Sequence, residues 1–308
     1  MNNIVWISGS NGYIGSYLKS ALIDANYKVI CLSSSVTKNK NTINLDFSNK
    51  SKIKEVLRKH GHPETFIHLG WKNVYQINDE VHTGLNVNNS INLIDEFYAA
   101  GTKRIIFVGS VSEYADQVGL LSESDKDRNP ENKYIEGKIK IRNYGLKLAS
   151  KLNRTFLHVR LFSTYGAGQT HNSLINQLFE CSLTEKDMSL STCMHYRDYI
   201  YIADAIEGFI RLTSVNESGV INLAGGKAIQ LKEFVKLFWE LLGANSERLI
   251  FGGHKQPSYE QSQPKAYSDQ TKINRLTGWA PNTSISDGIK LTIKQLKINA
   301  EFKNKKIS

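Results

Sequence analysis

Short runs of apolar, mostly β-branched residues alternate with longer stretches of helical period through the first two thirds of the chain. Residues 4–7 (Ile-Val-Trp-Ile) form one such run, and from Tyr13 to Asn26 the positions Ile14, Leu18, Ala21 and Leu22 recur at helical spacing. Runs at 29–32, 66–69, 105–108 and 156–161 predict further strands; segments near 53–57, 85–100 and 132–151 predict helices. Strands this apolar have no face for water, and strands separated by helices pair in parallel. The pattern therefore predicts an α/β chain with a doubly wound parallel sheet covered on both faces. Past Arg160 the rhythm loosens. Segments 173–180 and 230–242 read as amphipathic helices, the second with Phe234, Val235, Phe238 and Leu241 on one stripe. Residues 200–202 and 220–223 read as short strands and 252–268 as an irregular loop. The expected organisation is a first unit over 1–165, to which about 195–220 return, and a smaller C-terminal α/β unit over 166–308.

Composition and charge change this picture little. The 308 residues carry 39 Lys+Arg against 29 Asp+Glu, a net charge of +10. The cations are scattered, with the densest clusters at Lys38-Asn39-Lys40 and Lys303-Asn304-Lys305-Lys306. No basic helix or aromatic-basic repeat accompanies them, so nucleic acid is not the expected partner. A basic surface does attract small anions such as a nucleotide diphosphate. No apolar run approaches the roughly 20 residues of a spanning helix, so no membrane association is expected. Residues 4–7 are already strand-like, so no cleaved leader is expected. Cys31, Cys181 and Cys193 are odd in number and far apart, which suits free thiols and a cytoplasmic protein. His60-Gly61-His62 has no further ligands at metal spacing and reads as a loop, so no metal is expected.

The chemistry begins directly after the first strand, at Gly9-Ser10-Asn11-Gly12-Tyr13-Ile14-Gly15. Glycines permit a tight turn and a close approach of phosphate to backbone, and the following helix N-terminus attracts an anion. A glycine triplet between strand and helix is the context that marks a dinucleotide site, and it makes the expected sheet Rossmann-type. The second strand runs into Ser33-Ser34-Ser35 with Lys38 beyond, where an NAD-binding fold carries an acid for the ribose 2′-hydroxyl. Hydroxyls and cations there favour a 2′-phosphate and hence NADP; the same serines could simply turn the chain, which leaves NAD open. Farther on, Tyr134 and Lys138 stand four apart in a helical segment, so phenol and ammonium share a face. A phenol titrates near 10 when unperturbed; a neighbouring cation favours its ionised form and brings it into range for acid–base work.

The spacing Gly-x-x-Gly-x-x-Gly resembles the extended branch of the short-chain dehydrogenase/reductase superfamily, which includes nucleotide-sugar epimerases, dehydratases and reductases. Phe107-Val108-Gly109-Ser110-Val111-Ser112-Glu113-Tyr114 is similar to the strand end where that family carries a Ser or Thr four residues before a Tyr. The resemblance implies catalytic roles for Ser110, Tyr134 and Lys138, with Ser110 on the reacting oxygen. It implies adenine binding by Asp46 beside Phe47, and a cofactor lining from Leu69, Gly70, Trp71 and Asn86. Arg160-Leu161-Phe162-Ser163-Thr164-Tyr165-Gly166 and His195-Tyr196-Arg197-Asp198 resemble its substrate segments, with Ser163 where Asn is commoner. Ser112, Ser163, Tyr165 and Arg197 are thus the expected substrate contacts. The fork of an Arg suits a diphosphate; the other reading is a surface ion pair of Arg197 with Asp198.

Val111 and Ser112 stand where the sugar 4,6-dehydratases have an Asp-Glu pair, and Val transfers no proton. Two outcomes remain for a nucleotide-diphosphate sugar: a 4-ketoreductase that consumes NADPH, or a 4-epimerase that retains NAD. The missing acid after Leu32 favours the reductase, acting on a 6-deoxy-4-ketohexose in surface polysaccharide synthesis. A non-catalytic NADP-binding sensor or scaffold is the alternative of another class, and three intact catalytic positions argue against it. The family resemblance also implies a homodimer through the helices at 85–100 and 134–151.

Overall fold

The computed structural model describes residues 3–35, 42–125, 129–255 and 265–307. In chain order the elements are β1 (Ile4–Ser8), α1 (Tyr13–Asp24), β2 (Lys28–Ser33), β3 (Thr42–Asn44), α2 (Lys50–His60), β4 (Thr65–His68), α3 (Leu85–Ala99) and β5 (Arg104–Val108). Then follow β6 (Gly119–Leu121), α4 (Lys133–Leu152), β7 (Thr155–Leu161), β8 (Ser163–Tyr165), α5 (Leu174–Leu183), β9 (Met188–Leu190), β10 (Tyr196–Tyr201) and α6 (Ile202–Leu212). The chain closes with β11 (Gly219–Leu223), β12 (Ala228–Gln230), α7 (Leu231–Leu242), β13 (Leu249–Phe251), β14 (Ala266–Ser268), α8 (Thr271–Thr277) and α9 (Ile285–Ile307).

The main sheet has the order β11-β7-β5-β4-β1-β2-β3, and every pairing in it is parallel. Alternate side chains of each strand enter opposite cores, as the two-residue period of a strand requires. Val5, Ile7, Ile67, Ile106 and Val159 pack with Leu18, Leu22 and Phe209 of α1 and α6. Trp6, Phe66, Ile105, Phe107 and Phe156 pack on the other face with Ile53, Leu93, Phe97 and Ile141. Both faces are dry, which is why these strands read as continuous apolar runs. The doubly wound sheet expected from the pattern is the one observed.

The C-terminal part has its own core, in which Phe179, Phe234, Phe238, Trp239, Ile289 and Ile293 surround Tyr165. Of the stretch 195–220, β10 pairs with β8 and β12 in a small sheet, α6 packs on α1, and β11 joins the edge of the main sheet. Two readings need correction. The strand expected at 200–202 begins at Tyr196 and stops at Tyr201, because buried Asp198 is accommodated: its oxygens accept N–H groups of Gly225, Gly226 and Ser268 at 2.8–3.1 Å. Within the expected loop 252–268, residues 266–268 form β14, paired in parallel with β6. That partner lies far away in sequence, so local pattern could not announce it. Among the described residues no helix is long and apolar enough to cross a membrane.

Candidate active site

Strand order reverses between β1 and β4, and the crevice beyond their C-terminal ends is where such sheets hold ligands. Gly9, at φ +75°, sits so close to the neighbouring strand end that a Cβ would lie 2.7 Å from the Gly70 nitrogen. A Cβ on Gly15 would lie 2.1 Å from the Gly9 carbonyl oxygen, so α1 approaches the turn only because that position is bare. Gly12 precedes α1 without a side-chain cap, and no acid stands in the first turn. The N-terminal N–H groups and the positive end of the helix dipole therefore face the crevice uncompensated. A cavity of about 260 Å³ opens there, lined by Gly9, Gly12, Ser33, Ser34, Phe47, Leu69, Gly70, Trp71 and Asn86 among others. A cradle of bare glycines under an open helix end fits the pyrophosphate of a dinucleotide.

The remaining expected cofactor residues are placed less directly. Asn11 is exposed on the turn, and Ile14 packs into the core beneath it. Tyr13 turns away to line a larger cavity and meets the Tyr17 ring edge-on. Asp46 is exposed and does not line the 260 Å³ cavity; its Oδ1 accepts the Ser48 N–H and hydroxyl at 3.0 and 2.7 Å. Ser33 donates to the Ser35 carbonyl (2.8 Å) while also walling the cavity with Ser34. Asn86 clamps the turn after β4, exchanging hydrogen bonds with Lys72 N and O at 3.1 Å each. Lys38 lies outside the described residues.

Ser110, Tyr134 and Lys138 converge one strand away. Ser110 follows β5 and caps a short 3-10 turn, its hydroxyl accepting the Ser112 N–H (3.1 Å). Asn132 caps α4 by accepting the Ile135 N–H (3.0 Å), which starts the helix so that Tyr134 faces the end of β5. Burial raises the Tyr134 phenol pKa, the neighbouring Ser110 hydroxyl opposes this, and the Glu113 charge adds to the rise. Lys138 is 4% exposed and donates to the Val108 carbonyl at 2.7 Å. Its ammonium lies 4.0 Å from the centre of the Trp71 ring and 5.6 Å from that of Tyr134. Burial pushes Lys138 down to about 7. Both groups are thus shifted toward their neutral forms, the phenol upward and the ammonium downward. Trp71 belongs to the crevice wall as well, so one side chain joins the two sites.

The sequence reading missed what surrounds this cluster. Glu113 is fully enclosed, with His158, Arg160 and Arg142 around its carboxylate. His82, also buried, accepts from Trp71 Nε1 at Nδ1 (2.9 Å), which leaves Nε2 to donate to the Gln76 carbonyl (3.0 Å). Its ring meets Tyr134 edge-on. The available signal was a His and an Arg two apart, on one face of the otherwise apolar 156–161 run.

The expected substrate residues gather beside the cluster. A cavity of about 910 Å³ is lined by Tyr13, Ser163, Tyr165, Arg197, Tyr199 and Phe234 among others. A smaller one of about 100 Å³ adjoins it along Val111, Ser112, Ser163 and Arg197. Arg197 donates from Nε to His195 Nε2 (3.3 Å), whereas Asp198 accepts backbone N–H groups; the alternative of an Arg197–Asp198 surface pair is not what the fold forms. Tyr165 supplies wall more than chemistry, since its hydroxyl donates to the Ile285 carbonyl (3.3 Å).

The strand order, glycine turn and second unit define the extended short-chain dehydrogenase/reductase class. The chain belongs to the NAD dependent epimerase/dehydratase family, whose model matches residues 5–224. It is accordingly an NAD(P)-dependent enzyme. It is similar to a UDP-glucuronate 4-epimerase of Thermodesulfobacterium geofontis, 26% identical over 73% of this chain and 69% of that one. A dTDP-4-dehydro-6-deoxyglucose reductase of Escherichia coli is 22% identical over 96% and 98%. Among solved structures, the UDP-glucose 4-epimerase of Thermotoga maritima superposes with a TM-score of 0.83 at 20% identity, covering 96% of this chain and 99% of that one.

Proposed function

We propose that this enzyme reduces the C4 ketone of a nucleotide-linked 6-deoxy-4-ketohexose with NADPH. The observation that carries the reading is the convergence of Ser110, Tyr134 and Lys138 beside the dinucleotide crevice, next to Val111 and Ser112. Those two side chains offer no acid–base pair for carbons 5 and 6, so chemistry is confined to the oxygen that Ser110 and Tyr134 reach. The similarity to a reductase of a 4-dehydro-6-deoxy sugar nucleotide supports the same reading. Ser33 and Ser34 at the crevice wall, without an acid, favour NADPH over NADH.

The glycine turn and the α1 N-terminus would hold the pyrophosphate, and Asn86 and Trp71 the nicotinamide end. When bound, the nicotinamide supplies hydride to the carbonyl carbon. Ser110 donates a hydrogen bond to the carbonyl oxygen and polarises it. Tyr134, kept protonated by burial, gives its proton to the oxygen as negative charge develops there. Lys138 favours the resulting phenolate and returns it to the protonated state through solvent. Arg197 grips the diphosphate, which anchors the sugar over the reacting groups. A homodimer through α3 and α4 belongs to the same reading and is checked by sedimentation.

The test is to mix the purified protein with NADPH and dTDP-, CDP-, GDP- or UDP-linked 4-keto-6-deoxyglucose and to follow nicotinamide absorbance. Oxidation of NADPH with one of these is expected. The similarity to two 4-epimerases supports a second reading, with retained NAD. Interconversion of UDP-glucose or UDP-glucuronate with their C4 epimers, without added cofactor and without NADPH oxidation on the ketosugars, would establish that reading instead.

A further inference from the structure

We propose that Glu113 is a positioning residue of the proton-transfer site, fastening the Ser110 turn to the helix that carries Tyr134 and Lys138. The inference rests on the catalytic reading of those three residues and adds a fourth that acts through them.

Glu113 is 2% exposed, and its carboxylate touches three separate elements. On the turn, Oε1 accepts the Ser110 N–H at 2.8 Å, completing a reciprocal box with the Ser110 hydroxyl, which accepts the Ser112 N–H. On β7, His158 Nε2 lies 2.8 Å from both carboxylate oxygens and Arg160 Nε 3.4 Å from Oε2. On α4, Arg142 Nη1 lies 3.7 Å from Oε2. Arg142 follows Lys138 by four residues and Tyr134 by eight, so all three share one helix face. One carboxylate therefore couples the backbone of Ser110 to the face that presents the phenol and the ammonium.

The neighbouring backbone is shaped for this group. A Cβ on Gly109 would lie 2.4 Å from Glu113 Oε1 and 2.4 Å from His158 Nε2, so the residue before Ser110 must be bare for the carboxylate to enter. Burying a charge is costly, and an apolar side chain of equal size would fill the space at least as favourably. A carboxylate retained here, with donors from three elements, serves geometry and field.

The field has a definite sign. The charged groups facing Glu113 are Arg160 from β7 and Arg142 from α4; His158, also from β7, is driven toward its neutral form by burial, against the pull of Glu113. Toward Tyr134 and Lys138, β4 presents His68 and the segment before α3 presents His82. Burial lowers His68 toward neutrality, and His82 is engaged by Trp71 Nε1 and the Gln76 carbonyl. The Glu113 charge raises both Tyr134 and Lys138. Removing it should ease ionisation of the phenol.

Two variants separate reach from charge. Glu113→Asp keeps the charge and shortens the arm, releasing the Ser110 N–H. Glu113→Gln keeps the arm and removes the charge. Three quantities are read for each: NADPH affinity by fluorescence, turnover on the ketosugar nucleotides above, and the Tyr134 ionisation midpoint. The midpoint comes from the tyrosinate absorbance of each protein minus that of its Tyr134→Phe counterpart. Glu113→Asp should keep NADPH affinity and KM within about twofold while kcat falls about tenfold or more. Glu113→Gln should lower the Tyr134 midpoint by about half a pH unit or more. A wild-type midpoint in Glu113→Gln together with wild-type kcat in Glu113→Asp overturns the proposal. The midpoint decides alone if no ketosugar is turned over, and Arg142→Gln, expected to lower kcat at unchanged KM, replaces a Gln variant that does not fold. Full turnover by Tyr134→Phe in the otherwise native protein would instead overturn the catalytic reading itself, so the two failures are distinguishable.

Discussion

The crevice at the glycine turn and the cluster of Ser110, Tyr134 and Lys138 share Trp71 but are built in opposite ways. The crevice consists of backbone and of absent side chains: bare positions at Gly9 and Gly15, and an uncapped helix start at Gly12. The cluster consists of buried and half-buried polar groups held in place by others: the Ser110 N–H by Glu113, Lys138 by Val108 and Trp71, His82 by Trp71 and Gln76. Added volume is the vulnerability of the first, changed charge or hydrogen bonding that of the second. The contrast also separates binding from chemistry, because damage to one end should leave the other standing.

The sharpest break is at Tyr134. Changing it to Phe removes one oxygen and little volume, so NADPH affinity should stay within about twofold while kcat falls about 10³-fold; fluorescence titration and initial rates together read both. The mirror experiment is Gly9→Val. A β-branched residue at φ +75° against Gly70 forces the turn open, and NADPH affinity should fall about 100-fold while the tyrosinate midpoint of Tyr134 stays put. Arg197→Gln touches neither end. It should raise KM for the sugar nucleotide about tenfold, with kcat and NADPH affinity little changed, in steady-state kinetics.

Lys138 gives the smallest effect and a signed dependence on pH. An unfolded lysine titrates near 10.5, whereas burial brings Lys138 to about 7 in the folded protein. Between those values the unfolded chain holds a proton that the folded chain has released, so this group's contribution to stability rises with pH across the window. Below about 7 the full cost of the enclosed charge is present; above 10.5 it is gone. Lys138→Met carries no such term. Its stability relative to the native protein should improve by about 1 kcal/mol or more as pH falls from 10 to 7, measured by denaturant unfolding at each pH. A difference that stays flat with pH would mean the Trp71 and Val108 contacts fully offset the burial.

Much of the first unit was legible in the linear pattern. The apolar runs marked β1, β2, β4, β5 and β7, because strands dry on both faces need no alternation. The glycine turn was legible because its requirements are local: a strand, a bend and a helix start within twelve residues. Tyr134 and Lys138 could be paired on paper because four residues make about one helical turn. The second unit was harder. β14 sits where a loop was expected, and Asp198 lies buried where a surface ion pair was conceivable.

What the chain by itself determined is whatever depends on period and on neighbours: the α/β alternation, the glycine turn, and the shared face of phenol and ammonium. Only the tertiary structure decided which charges are buried together. Glu113, Arg142, His158 and Arg160 are separated by up to 47 positions and meet because β5, α4 and β7 pack side by side. A hydrogen bond in a dry interior depends on distance in space, and the order of residues records that distance only over a turn or two.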